Sequence, residues 1–260
     1  MVARRDLERF AKTRVSTKAD TMLAIGRVKQ FARLDIGREL RKGLPEVVLA
    51  EGKDARDVAE IVAAVVRRTG RAIVSRADRS YLTRIRAKRI AQTRVNFHEK
   101  AGMIVVKRLA YKTRKTGGKI GLLTAGTSDI PVAEEARIIA DEMGCETRAY
   151  YDVGVAGLHR LFGPLAELLR WDADVIIVVA GREGALPTVV AGLVDVPVIA
   201  VPTSRSYGFG NRGIAAMAAM LQSCSLGLAV VNIDSGVGGG SIGGLIANRA
   251  AKDRPSKRRA

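Results

Sequence analysis

Aromatic residues are scarce in this chain. Phe, Trp and Tyr together make up 4% of 260 residues, while hydrophobic residues reach 47%. The core must therefore be built from aliphatic side chains, and disorder is excluded. Long apolar runs are missing as well. No stretch reaches the ~18 residues needed to span a bilayer, and the longest candidate, around Leu186 to Val201, is broken by Asp195 and two prolines. A membrane partner is not expected. The opening MVARRDLERF has no apolar segment behind its basic residues, so no signal peptide is expected. Two cysteines without metal-ligand partners nearby argue against disulfides and fit a reducing cytoplasm. HExxH, paired CxxC and Walker motifs are absent, which removes support from the metalloprotease, zinc-ribbon and P-loop classes.

What the chain does have is positive charge, and it is unevenly placed. Of a net +18, residues 1–116 account for all, with 30 basic against 12 acidic residues. Residues 117–260 balance at 14 and 14, and the tail 251–260 is itself basic. Such a surface attracts anions, although a solvated arginine-rich face reads the same way. Nucleic acid is not an expected partner, because no recognition helix or RNA-binding motif accompanies the charge.

The asymmetry predicts two domains and a tail: a basic α+β domain over 1–116, an α/β domain over 117–250, and 251–260. The first 35 residues read as basic helix. Asp54 can cap a helix whose apolar positions Val58, Ile61, Val62, Val65 and Val66 keep helical spacing, with Gly70 ending it. Val47–Ala50, Arg71–Ser75 and Met103–Lys107 read as strands. From Lys119 strands and helices alternate strictly, at 119–126, 147–152, 175–180, 198–201 and 228–233 for the strands. That alternation predicts a doubly wound parallel sheet, flavodoxin- or Rossmann-like, covered on both faces. Ligands bind such sheets at the strands' carboxyl ends, which singles out loops 125–130, 152–160, 181–187, 202–212 and 233–241.

Several candidates fall on those loops. Gly126, Thr127, Ser128 and Asp129 lead from a strand into a helix, where free N–H groups attract phosphate; plain capping is the alternative. Ser235–Gly244 (SGVGGGSIGG) formally contains GxGxxG, but it follows the last strand rather than the first, so it is a poor dinucleotide fingerprint. Its Gly236 and Gly238 stand as a backbone platform for a charged ligand or as tight helix–sheet packing. Glu183, beyond the apolar strand VIIVV, is placed to act as a base or as a helix-terminal charge. Cys224 lies between a small-residue helix and a strand, as a nucleophile or as a small buried hydrophobe; Cys145 reads as the latter. His159 and Arg160 share one of the loops, and Asp129, Asp152 and Asp234 stand near strand ends.

The second region resembles the aminoimidazole ribonucleotide carboxylase/mutase fold of purine synthesis, through GTSD (Gly126–Asp129), LHR (Leu158–Arg160) and AGREGALP (Ala180–Pro187). The whole chain is still more similar to the LarB family, a carboxylase/hydrolase of nickel-pincer nucleotide cofactor synthesis. That likeness rests on LDIGRELRKGLPEVVLAEGK (Leu34–Lys53), AGREGALP, VPTSRSYGFG (Val201–Gly210), MLQSC (Met220–Cys224) and VVNIDSG (Val230–Gly236). The resemblance implies carboxylation of the pyridinium ring of nicotinic acid adenine dinucleotide at position 5 by carbon dioxide, then cleavage of the phosphoanhydride. It assigns catalysis to Cys224 and Glu183, and the purine relative supports substrate binding by His159 and Arg160; Gly126, Thr127, Ser128, Asp129, Arg182, Asp234, Gly236 and Gly238 complete the expected binding set. It implies no tightly bound cofactor, with magnesium as an optional aid, and a homo-octamer with sites at subunit interfaces. Two departures stand out. Ala185 replaces the histidine of the purine-type pattern, and Ser206 stands where the closer family has glycine.

Overall fold

In a computed structural model of the protein, residues 25–28 and 32–254 are described. They form two units, one ending at Lys112 and the other beginning at Thr113.

The described part of the first unit begins with an antiparallel pair, β1 (Ile25–Val28) and β2 (Ala32–Asp35), where basic helix was expected. Val28 and Leu34 enter the unit's core, but four-residue strands are too short for alternation to show in sequence. Residues 1–24 of that expectation lie outside the described residues. Then follow α1 (Arg38–Lys42), β3 (Val47–Leu49), α2 (Ala55–Thr69), β4 (Arg71–Ser75), α3 (Arg79–Ala87), β5 (Thr93–His98) and β6 (Met103–Arg108). The sheet runs β3-β4-β6-β5, with β3 parallel to β4 and the other pairs antiparallel. Helix α2 forms for the reasons its sequence suggests. The Asp54 carboxylate accepts from the Arg56 N–H, Gly70 closes the helix in the left-handed region, and Val58, Ile61, Val62, Val65 and Val66 are all buried.

The second unit alternates β7 (Lys119–Thr124), α4 (Ile130–Glu142), β8 (Glu146–Tyr150), α5 (His159–Arg170), β9 (Val175–Ala180), α6 (Ala185–Ala191), β10 (Val198–Pro202), α7 (Ile214–Leu221), β11 (Leu228–Val230) and α8 (Gly236–Asp253). All pairs are parallel, in the order β11-β10-β9-β7-β8. This is the flavodoxin-type order, and its switch point lies between β7 and β9. Every residue of β9 is buried because both faces are covered. Ile176, Val178 and Ala180 pack with residues of α5, α6 and α7. Ile177 meets α8 at Gly243. Of the basic tail, residues 251–253 finish α8 and Arg254 pairs with Asp174; residues 255–260 lie outside the described residues. No described helix is long and apolar enough to cross a membrane.

Candidate functional site

At the switch point the loops beyond the carboxyl ends of the strands enclose a cavity of about 270 Å³. Four of the five loops picked out by the strand–helix alternation contribute to it. Gly126, Ser128 and Asp129 come from the turn after β7, Arg160 from the start of α5, Arg182 and Glu183 from the turn after β9, and Arg205 from the loop after β10. Three guanidinium groups and two carboxylates thus face one space, a lining suited to a ligand carrying phosphate or carboxylate.

The framework of this site is a buried carboxyl group. Asp129 is 3% exposed, and its Oδ1 accepts from Thr203 Oγ1 at 2.7 Å while Oδ2 accepts from the Gly126 N–H at 2.9 Å. The Gly181 N–H donates to it as well. One side chain therefore ties together the loops after β7, β9 and β10. Burial pushes the Asp129 carboxyl above its ordinary value, the three donors partly oppose this, and nearby Asp234 adds to the rise. Arg160 is held at Asp152 by an ion pair of 2.7 Å. Arg182, in the left-handed region at φ 50°, sets its guanidinium 4.0 Å from the centre of the Tyr207 ring. Gly184 starts α6 at φ 66°, where a Cβ would strike the Ala216 carbonyl; this close approach fixes the direction in which Glu183 leaves β9.

Other expected site residues are not part of the cavity lining. His159 and Thr127 are exposed beside it. Asp234 turns to the loop after β10, its Oδ1 accepting from the Ser204 N–H at 2.8 Å, so its place is behind the site. Gly236 and Gly238 do not form a loop platform: they begin α8, whose helical span was expected only from Ile242. The Gly238 N–H already donates to Ser235 Oγ and the Val237 N–H to Glu135 Oε2. Gly236 is pressed against the carbonyl of Val132, and Gly240 against that of Ala136. The glycines let α8 lie close to α4 and the sheet.

Cys224 is exposed and Cys145 buried. Burial pushes the Cys145 thiol up to about 12, so it stays protonated. Cys224 sits between Ser223 and Ser225, which bond the Thr188 hydroxyl and carbonyl of α6. It precedes β11, whose Leu228 pairs with Val198 at the amino end of β10, whereas Glu183 follows β9, whose Ala180 pairs with Pro202 at the other end. Those two ends of β10 are about 13 Å apart. Cys224 is not among the residues lining the switch-point cavity that contains Glu183.

Arg205 and the Gly154–Ala156 wall of the cavity lie on loops that the strand-end rule singles out, but they are not among the individual candidates. The position of Arg205 on a strand-end loop was the available signal. Among the described residues no cluster of three or more His, Cys, Asp or Glu could hold a metal ion.

Comparison with known proteins gives this arrangement a family. A model described as the LarB/PurE-like N-terminal domain matches residues 26–108, and one described as AIR carboxylase matches residues 119–256. The chain belongs to the LarB family. An uncharacterised protein of Methanocaldococcus jannaschii is 45% identical over 222 residues, covering 85% of each chain. An N5-carboxyaminoimidazole ribonucleotide mutase of the same organism is 35% identical over 119 residues, 45% of this chain and 71% of its own. A mutase of that name from Thermotoga maritima is 29% identical over 92 residues, 34% of this chain and 52% of its own. Both mutase matches are partial, whereas the two family models together match residues in both units. The LarB-type assignment carries a carboxylase-family function, with a nucleotide substrate and carbon dioxide as reactants.

Proposed function

We propose that this LarB-family chain carboxylates the pyridinium ring of nicotinic acid adenine dinucleotide at position 5. It then hydrolyses the phosphoanhydride, releasing AMP and pyridinium-3,5-biscarboxylic acid mononucleotide for nickel-pincer cofactor synthesis. The observation that carries this reading is the composition of the switch-point cavity. Glu183 shares it with Arg160, Arg182 and Arg205, while Ala185 stands where the purine-type pattern has its histidine.

The chemistry explains why a thiol and a carboxylate are needed. A pyridinium ring is electron-poor and does not attack carbon dioxide. Addition of the Cys224 thiolate breaks the aromaticity and leaves an enamine-like ring carbon, whose electron pair forms the new bond to carbon dioxide. Glu183 then takes the proton from that carbon, the C–S bond breaks, and the ring electrons return to the aromatic system. Water, not carbon dioxide, cleaves the phosphoanhydride. The guanidinium groups hold the phosphates and the new carboxylate.

Because Cys224 does not line the cavity that contains Glu183, the proposed reaction takes Cys224 from a neighbouring copy of the chain. Two features support this: the interfacial sites implied by the family likeness, and the apolar surface around Cys224, where Leu193, Leu221 and Leu226 are 49%, 66% and 92% exposed.

Mass spectrometry tests the proposal after the protein is mixed with the dinucleotide, magnesium and dissolved carbon dioxide. The expected products are AMP and the doubly carboxylated mononucleotide, and neither forms with Cys224→Ala. Unchanged dinucleotide sinks the reading, and turnover of aminoimidazole ribonucleotide instead would establish the mutase alternative favoured by the partial matches. Co-refolding Cys224→Ala with Glu183→Gln restores activity if the two residues meet between copies and leaves it absent if they act within one.

A further inference from the structure

The N-terminal unit contains a cavity of about 450 Å³, built from none of the residues of the switch-point cavity. One wall is α2 and the other is the loop between α3 and β5, with Arg108 at the end of β6 closing one side. The loop is tied at its far end. The Leu109 N–H donates to the Gln92 carbonyl at 2.8 Å, and Thr93 Oγ1 donates to the Ile90 carbonyl at 2.6 Å. Arg89 and Gln92 are both left-handed, at φ 43° and 53°, which folds the segment over α2 rather than letting it run straight into β5.

The lining is cationic. Arg67, Lys88, Arg89 and Arg108 face a single carboxylate, Glu60, which lies 2.6 Å from Lys88. Arg108 spends one N–H on the Arg67 carbonyl. Among the described residues, Arg67 and Arg89 have no carboxylate partner. Arg38, Arg41, Arg71 and Arg79 of the same unit are paired with carboxylates. Between the cations lies the partly exposed side chain of Ile90, with buried Ala63 and Val66 beneath it.

The geometry points to a second ligand site, for a nucleoside mono- or diphosphate, in the N-terminal unit. The phosphate oxygens are met by the guanidinium groups of Arg67, Arg89 and Arg108, which match phosphate in fork geometry. The base lies against Ile90. The volume falls within the range of about 300–1,000 Å³ usual for small-molecule sites. A nucleic-acid strand fits less well, because strand binding uses a continuous cationic groove with stacking aromatics, and none of the residues lining this cavity is aromatic. The site is independent of the carboxylase reading.

Photo-cross-linking of the full chain with 8-azido-AMP, followed by peptide mapping, tests it and separates this cavity from the switch-point one. Label is expected in peptides spanning 57–108, displaced by AMP and by pyrophosphate but not by adenosine. Exchanging both Arg67→Gln and Arg89→Gln, two exposed positions, should cut that label roughly tenfold, leaving label in peptides of 119–254 and the thermal melt unchanged. Glu60→Gln, which releases Lys88, should raise it severalfold. The proposal is overturned by an absence of label in 57–108, by label that survives the double exchange, or by displacement with short RNA at concentrations where AMP and pyrophosphate have no effect.

Discussion

Two turns of the second unit leave parallel strands and enter helices at the same edge of the sheet. One is Gly126–Asp129 after β7, the other Asp234–Gly238 after β11. Both combine glycine with a short polar side chain, the usual signature of a phosphate-binding helix start. Their uses differ. In the first, Asp129 accepts the Gly126 N–H but turns its other oxygen inward to Thr203, and Ser128 remains exposed at the cavity. In the second, Ser235 and Glu135 take the N–H groups of Gly238 and Val237, and α4 occupies the space in front of the glycines. Backbone donors serve a ligand only where neither a side chain nor a packed helix has already claimed them.

The sharpest way to break this comparison is to add one methyl group to the packed turn. A Cβ on Gly240 would overlap the Ala136 backbone, which cannot yield as a flexible side chain would. Gly240→Ala should therefore destabilise the protein by about 3 kcal/mol or more despite the gain in helix propensity, measured by urea unfolding. A loss below about 1 kcal/mol would mean that α8 can slide away from α4 at little cost.

Asp129→Asn tests the framework of the open turn. An amide has one acceptor oxygen where the carboxylate has two, so a buried donor from Thr203, Gly126 or Gly181 loses its partner. The expected cost is about 2 kcal/mol at pH 7. The pH dependence has a definite sign. Burial raises the folded carboxyl above its unfolded value, so its contribution is fully present at acid pH and is lost as pH rises through the folded value. Asparagine has no such dependence. The gap between the wild type and the variant should therefore be widest at acid pH and narrow towards neutrality; a gap that widens with rising pH would place the folded carboxyl below its ordinary range instead.

Much of this architecture is legible because several local signals agree. Helix α2 has its cap, its 3.6-residue apolar period and its terminal glycine, and β9 is a six-residue apolar run between polar turns. Helix α8 is different. Six of the nine residues from 236 to 244 are glycine, each costing about 1 kcal/mol against alanine in a helix, so the segment reads as a loop. Only tertiary packing, which no local pattern encodes, makes it helical. Strand β5 escaped notice because TRVNFH lies at the edge of its sheet with no fully buried residue. At the site, the strand-end rule located the cavity loops, Arg205 included. It is silent on the distance between Cys224 and Glu183, since a residue preceding a strand and one following another look equivalent until register is known.

Two serines complete the comparison, with smaller effects. Ser235 caps α8 through the Gly238 N–H, so Ser235→Ala should cost about 1 kcal/mol and leave the KM for the proposed dinucleotide substrate unchanged. Ser128 is exposed in the open turn and lines the cavity. Ser128→Ala should shift stability by no more than about 0.5 kcal/mol, yet raise KM by about three- to tenfold through the loss of one hydrogen bond to substrate. Melting curves and product assays on the two variants therefore give opposite patterns if one turn is for packing and the other for binding. Should Ser128→Ala lower stability and leave KM untouched, the turn after β7 would be a capping device like its counterpart, and phosphate binding would fall to the guanidinium groups of Arg160, Arg182 and Arg205 alone.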